Sequence, residues 1–330
     1  MPGNIRVLLL TSEWPTKDHP ERAPFIVQQV SSLQKAGICL TVFPFRGAKS
    51  LTNYWRAWLK VQSLLQQDSY DLIHAHFGQS GLLAIPHRLP LVVSFWGSDL
   101  HGIVGSGGRL ALAGYLLQMV SQIVAWQAND IVVVSEHMRT LLWTRKPVQV
   151  IPGGIDLDLF RPIPAHLARH QLGLPADKYL VLFAADPARP VKRFELAKKV
   201  IEQLTKSIDV ELVATHGVAH ETMALYMNAC DALLLTSQHE GSPTVVKEAL
   251  ACNLPVISVD VGDVRQRIED ISGCFLCPDD RVETIADGVA QVLAKRHRID
   301  GRSAVADLDE RLQAEKVISV YRQVLTDARV

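Results

Sequence analysis

The sequence has no surplus of charge of either sign. Its 34 Lys and Arg are matched by 34 Asp and Glu over 330 residues, so no chain-wide attraction for nucleic acid is expected. Cysteine is scarce and odd in number: Cys39, Cys230, Cys252, Cys274 and Cys277 are scattered, mostly inside apolar segments. That excludes a disulfide-stapled scaffold and reads as reduced, buried thiols of a cytosolic protein. Cys274 and Cys277 have metal-ligand spacing, but with no second pair and no His at ligand distance in sequence they read as packing residues. The opening MPGNIRVLLLTSEW lacks the long apolar core and small-residue cleavage site of a signal peptide. Internal repeats and low-complexity tracts are also missing. One long stretch carries no charge, Leu110 to Ala128, near the lower limit for a membrane span. Gln118, Ser121, Gln122 and Gln127 interrupt it, so the expectation is a mostly buried helix with its wetter side toward a cleft, and second an interfacial helix.

What is present is ordinary for a globular enzyme: 48% hydrophobic and 21% charged residues, with room for about two domains of roughly 100–200 residues. The chain alternates short apolar runs with helical periods, the pattern of parallel α/β sheets. Strands are expected at Ile5–Thr11, Ile38–Phe45, Tyr70–His74, Leu91–Phe95, Asp130–Ser135, Tyr179–Ala185, Val210–Ala214 and Ala232–Leu235. Helices are expected at Pro24–Ala36, Leu51–Gln67, Thr284–Lys295 and Leu312–Leu325. In the Leu51–Gln67 helix, Trp55 and Trp58 sit beside Arg56 and Lys60, a pattern that suits a membrane surface as well as a core. His74 and His76 share a strand face and are expected to hydrogen-bond along a cleft.

The stretch from Asp231 to Val259 organises the rest. A short apolar strand, Ala232–Leu235, delivers a polar loop at its carboxyl end, where open α/β sheets bind ligands. The loop enters a helix at Gly241-Ser242-Pro243, with Ser242 as the expected N-cap and Pro243 at the first helical position. Unpaired N–H groups and the helix dipole there suit a phosphate. Glu240 and Glu248 frame this helix start, Glu248 with Lys247 as its only evident local partner. Carboxylates for sugar or ribose hydroxyls beside donors for a diphosphate describe a nucleotide-sugar pocket.

Residues 240–262, EGSPTVVKEALACNLPVISVDVG, resemble the signature of the retaining glycosyltransferases of the GT-B fold, the large fourth family also described as glycosyl transferases group 1. The resemblance implies two doubly wound, Rossmann-like α/β domains facing across a cleft. These would be an acceptor-side domain over 1–160, a nucleotide-sugar donor domain over 161–308, and a C-terminal helix over 309–330 returning to the first. It implies a catalytic set of Glu240 on the donor sugar, Lys192 on the diphosphate and Asp99. Donor binding falls to Glu248 on the ribose, to Gly241, Ser242, Pro243 and Thr244, and to Arg189. Pro187 holds the family's Arg position, and Arg189 is its nearest substitute. On the acceptor side are His76, Gly97, Trp96 in place of a family His, and His101 as a replacement for that polar contact. Ala23 stands where the family carries Gly, Asn253 likewise, Asp263 where a second Gly is common, and Gly153 where Asn is usual.

The implied reaction is retaining transfer of a sugar from a nucleotide-sugar to a glycan or lipid-linked acceptor, in surface polysaccharide or glycolipid synthesis. No metal and no cofactor are expected. Asp156-Leu157-Asp158 spells the carboxylate pair of metal-dependent transferases, but so short a match is weak. The expected location is cytoplasmic, at the inner face of the membrane, with peripheral membrane contact and no nucleic-acid partner. A rival reading is a catalytically silent sugar-nucleotide-binding subunit, suggested by Trp96, Ala23 and Pro187. A metal-dependent transferase is a weaker third.

Overall fold

The structure, a computed structural model, describes residues 5–19, 22–47, 50–105, 109–295 and 297–328. In chain order the elements are β1 (Arg6–Thr11), α1 (Pro24–Lys35), β2 (Cys39–Pro44), α2 (Leu51–Gln67), β3 (Leu72–His76), α3 (Gly78–Gly81), β4 (Leu91–Phe95), α4 (Ser98–His101), α5 (Leu112–Gln127), β5 (Asp130–Val133), α6 (Glu136–Thr140) and β6 (Val148–Val150). They continue as α7 (Ala165–Leu172), β7 (Tyr179–Ala184), α8 (Phe194–Leu204), β8 (Val210–Thr215), α9 (His220–Ala229), β9 (Ala232–Leu235), α10 (Thr244–Ala251), β10 (Val256–Val259), α11 (Val264–Ile268), β11 (Phe275–Cys277), α12 (Val282–Lys295) and α13 (Glu310–Asp327).

The described residues divide into two compact units, one holding those up to Gly154 together with 310–328, the other those from Ile155 to Asp309. The first is built on a parallel sheet of order β2-β1-β3-β4-β5-β6, the second on a parallel sheet of order β11-β10-β9-β7-β8. Both are doubly wound α/β sheets. Central strands β3, β4, β5 and β9 are buried along their whole length, as strands covered on both faces must be. In each sheet the strand order reverses once, between β1 and β3 and between β7 and β9. A crevice opens outside the carboxyl ends of the strands at such a reversal.

In the first unit Ala57 and Val61 of α2, with Val124 and Ala125 of α5, pack on Leu8, Leu10, Ile73 and Val93 of one sheet face. Leu33 of α1 and Val317, Ile318 and Tyr321 of α13 pack on Val7, Leu72 and Val92 of the other. His74 lines no cleft. It is fully buried, with Nδ1 2.7 Å from the Tyr321 hydroxyl and Nε2 2.8 Å from Ser94 Oγ, and burial lowers its pKa to about 3.

Helix α5 forms where the sequence places it but turns the other way. Ser121 and Gln122 are 0% and 4% exposed, whereas Leu112, Leu116 and Trp126 are 78%, 62% and 54% exposed. The cause lies in the loops beneath. Ser121 Oγ donates to the Asp99 carbonyl at 2.9 Å, and Gln118 Nε2 to the Leu100 carbonyl at 2.9 Å. Gln122 donates to the Leu141 carbonyl at 2.9 Å and accepts from the Trp143 N–H at 2.8 Å. Backbone groups with no partner in the ladder need these side chains. A Cβ on Gly78 would lie 2.2 Å from Ser121 Oγ, so α3 approaches too closely for a bulky residue on that side.

Candidate active site

The loops after β7 and β9 meet at the strand reversal of the second unit. The Gln238 N–H donates to the Val191 carbonyl at 2.8 Å, and Thr236 Oγ1 to the Lys192 carbonyl at 3.0 Å. Arg193 adopts φ 52 at the N-cap of α8, and its guanidinium reaches the Thr236 carbonyl and Asp280 at 2.5 Å each. It is a strap between the loops. Lys192 ends a short 3-10 turn, Pro190–Lys192. Its Nζ lies 2.5 Å from Glu240 Oε1, with both side chains largely buried. Arg189 is exposed and close enough to His239 to help hold that imidazole below its ordinary pKa, after burial.

The helix after this loop starts later than its sequence suggests. Pro243, not Ser242, is the N-cap, and Thr244 is the first helical residue of α10. Ser242 is drawn away by another partner: its hydroxyl donates to Asp263 Oδ2 at 2.7 Å. Lys247 also bonds the Ser242 hydroxyl and lies 3.1 Å from Asp263 Oδ2. Lys247 is therefore not paired with Glu248 but buried, 1% exposed, in a Ser242–Lys247–Asp263 cluster. Burial pulls the Lys247 pKa down and Asp263 pushes it back up. The cluster braces Gly241-Ser242-Pro243 from behind. Gly262 completes the brace: at φ 60, a Cβ there would lie 3.0 Å from the Gly241 carbonyl oxygen and 3.2 Å from that of Glu240.

Glu248 projects from the second turn of α10 and is 8% exposed. Burial raises its pKa to about 7. Its nearest basic group is His220 Nε2 at 4.0 Å, and burial lowers the pKa of His220, so no firm positive charge stands beside it. The second unit thus gathers Lys192, Arg189, His239 and Glu240 around the β7–β9 reversal; the same loop leads into α10, whose Glu248 faces His220 at the start of α9. Carboxylates that accept hydroxyls, a cation and helix N–H groups that receive an anion are all in one neighbourhood.

The first unit holds a second cluster at the carboxyl ends of β1, β3 and β4. His76 is fully buried, and neither ring nitrogen has a partner among the described residues. Its ring lies 5.6 Å from that of Trp96, which lies 4.6 Å from Phe25. Burial and the neighbouring His74 hold His76 well below the ordinary His pKa. Asp99 is 0% exposed. Its carboxylate accepts the N–H groups of Gly97 at 2.8 Å and Trp96 at 3.2 Å, and burial raises its pKa to about 6. It holds the Trp96–Gly97 turn, in which Gly97 has φ 143. His101 ends α4, partly buried, with its ring stacked 5.4 Å from His137.

Two departures from glycine keep the glycine backbone. Ala23 has φ 49 and ψ 50, and Asn253 has φ 57, both in the left-handed region that costs an ordinary residue about 1–2 kcal/mol. Asn253 is fixed there by its side chain, which accepts the N–H groups of Gly301 at 3.1 Å and Arg302 at 2.9 Å. The sequence reading missed Lys247, Asp263 and His220. Asp263 in place of a glycine was the signal for the first two. His220 follows β8 at the sheet's ligand edge, and only its position there marked it.

Residues 3–159 match the family model described as Glycosyltransferase Family 4, and residues 192–307 the model described as Glycosyl transferases group 1. A putative teichuronic acid biosynthesis glycosyltransferase of Bacillus subtilis is 27% identical over 325 residues, covering 79% of this chain and 82% of that one. A D-inositol 3-phosphate glycosyltransferase of Mycobacteroides abscessus is 25% identical, covering 82% and 70%. Among solved structures, the sucrose-phosphate synthase of Thermosynechococcus elongatus superposes with a TM-score of 0.78 at 17% identity, over 98% of this chain and 100% of that one. Anabaena HepE in complex with UDP and glucose superposes with a TM-score of 0.71 at 17% identity, over 97% and 100%. The shared architecture is the GT-B fold, two Rossmann-like parallel-sheet domains.

Proposed function

Because the chain belongs to the glycosyltransferases of the GT-B fold, the fourth family with its group 1 domain, we propose that it is a retaining, metal-independent transferase of a sugar from a nucleoside diphosphate sugar to a glycan or lipid-linked hydroxyl. The observation that carries this reading is the Lys192–Glu240 pair at the β7–β9 reversal, next to the start of α10. As the bond from the sugar's anomeric carbon to the diphosphate breaks, its electron pair leaves with the diphosphate and positive charge grows on the sugar. Lys192, Arg189 and the N–H groups at the start of α10 are placed to receive the diphosphate, which supports catalysis by preorganised electrostatics without a metal. Glu240 orients the sugar hydroxyls and Glu248 the ribose, with Gly241, Ser242, Pro243 and Thr244 forming the phosphate loop. In the first unit His76, Trp96, Gly97 and His101 line the acceptor side, and Asp99 acts by holding the Trp96–Gly97 turn.

The test is release of nucleoside diphosphate from UDP-, GDP- and ADP-sugars with a panel of glycan and polyprenyl-phosphate acceptors, with and without chelator. Retention is read from the product anomer by NMR. Turnover that survives chelation and a product with the donor's anomeric configuration are expected. An inverted product overturns retention, loss of activity with chelator overturns metal independence, and nucleotide binding without turnover overturns the enzyme reading.

A further inference from the structure

The inverted helix α5 leaves a stripe with no cover. Leu112, Tyr115, Leu116, Met119, Ile123 and Trp126 follow one another at helical spacing and are 45–78% exposed. A chain normally hides such a stripe, and a continuous exposed one marks a surface that meets something apolar. Trp143, 61% exposed, extends it. Its carbonyl accepts the Trp126 indole N–H at 2.8 Å, and Lys146 Nζ donates to the Trp126 and Ala128 carbonyls at 2.6 Å each.

Helix α2 packs on the same face of the sheet as α5, through Ala57 and Val61, so its outward side belongs to the same layer. That side carries Leu51, Trp55 and Leu59 at 87%, 59% and 47% exposure. Trp55 stacks on Trp58, ring centroids 5.0 Å apart. Trp58 is anchored by its indole N–H to the Ile85 carbonyl at 2.8 Å, so the outer ring is held from below.

Within α2 and the stretch around α5 the charges have one sign. Residues 51–67 contain Arg56 and Lys60 and no Asp or Glu, and residues 100–129 contain Arg109 and no Asp or Glu. Arg56, Lys60 and Arg109 are exposed, as are Arg145 and Lys146 beside Trp143. Glu136 is already paired with Arg139 at 2.7 Å. Apolar stripes with aromatic edges and a cationic rim are complementary to a sheet of acyl chains under anionic headgroups. A second copy of the chain fits poorly, because a two-fold pairing sets this patch against itself and meets each cation with another. Among the described residues no helix is long and apolar enough to cross a membrane.

We propose that the outer face of the α2–α5 layer is a docking surface for an anionic lipid bilayer, with Leu116, Met119, Trp126 and Trp55 entering the headgroup boundary and Arg56, Lys60, Arg109 and Arg145 meeting lipid phosphate. The surface does not depend on turnover, so vesicle binding and sugar transfer succeed or fail separately.

Co-sedimentation of the full chain with vesicles tests it, using phosphatidylglycerol mixed with phosphatidylcholine, phosphatidylcholine alone, and no vesicles. The protein is expected in the pellet with the anionic vesicles at low salt and in the supernatant at high salt, as screening requires. Arg56→Gln with Lys60→Gln should weaken partition about thirtyfold. Leu116→Ser with Met119→Ser should abolish it while circular dichroism stays as in the wild type, the positions being exposed. Equal recovery in the supernatant with and without anionic vesicles overturns the proposal. So does pelleting of the Leu116→Ser, Met119→Ser variant at the wild-type level. A wild-type dimer in solution that this same variant converts to monomer also overturns it, by making a second copy the occupant.

Discussion

The ammonium of Lys192 and the carboxylate of Glu240 hold each other at 2.5 Å across the reversal between β7 and β9. Each is the other's first partner, so an anion that claims the ammonium must share or displace the carboxylate. The two residues then respond differently to substitution. In Glu240→Gln the ammonium loses its competitor, and calorimetry should show nucleoside diphosphate binding unchanged or tighter. Turnover of the same variant should fall about 10²–10³-fold, as for loss of one transition-state contact. Lys192→Ala should lose both, binding by about 1.5–3 kcal/mol, the size of a hydrogen bond to a charged group. Equal loss of nucleotide affinity in the two variants would sink the assignment.

Glu248 predicts a stability that falls with pH. Burial raises its pKa from the ordinary 4.5 to about 7, so between those values the folded chain keeps a proton that the unfolded chain has released. Stability therefore declines as pH rises through this window and stays lower above it. Glu248→Gln removes the decline. Urea melts should show the variant matching the wild type at about pH 4 and exceeding it at about pH 8, by on the order of 3 kcal/mol. Its affinity for the donor should fall over the same range. A variant no more stable than the wild type at high pH would show that Glu248 has a partner this environment does not supply.

The brace behind the phosphate loop predicts a split between folding and function. Lys247→Met leaves Asp263 buried beside Ser242, and breaking such a pair costs about 3–5 kcal/mol. Lys247→Met with Asp263→Leu removes both charges and should recover most of that stability. Donor kcat/KM should stay low in the double variant, because Ser242 has lost the carboxylate that fixes it. Recovery of both together would reduce the cluster to packing.

Ala23 and Gly262 predict opposite signs. Ala23→Gly relieves a left-handed residue at some cost in unfolded-state entropy and should raise stability by about 0.5–1 kcal/mol. Gly262→Ala places a methyl 3.0 Å from the Gly241 carbonyl oxygen at φ 60, and should lower both stability and donor affinity. Thermal melts with and without nucleoside diphosphate separate the two effects.

Much of the framework was legible because it rests on local pattern. Leu51–Gln67, Leu91–Phe95 and Ala232–Leu235 fall where period and apolar runs place them. What escaped depends on partners distant in sequence. The inward turn of Ser121 and Gln122 answers carbonyls of Asp99 and Leu141, which no periodicity records. Ser242 follows Asp263 instead of capping α10 because its hydroxyl donates to that buried carboxylate and accepts from the Lys247 ammonium rather than from a helix N–H. His74 looked like a cleft residue because its partner, Tyr321, stands 247 positions later.

That last distance bears on how the molecule is made. Residues 310–328 belong to the first unit, where Tyr321 closes the core over Val7, Leu72 and Val92. On the ribosome the amino-terminal sheet therefore emerges with one face covered only in part, by α1, and waits through the whole of the second unit for its last helix. The second unit, Ile155–Asp309, is contiguous through its core elements and can fold as soon as it clears the exit tunnel. The first domain to be translated is the last to be completed, and a chain that stops short of Tyr321 leaves it open.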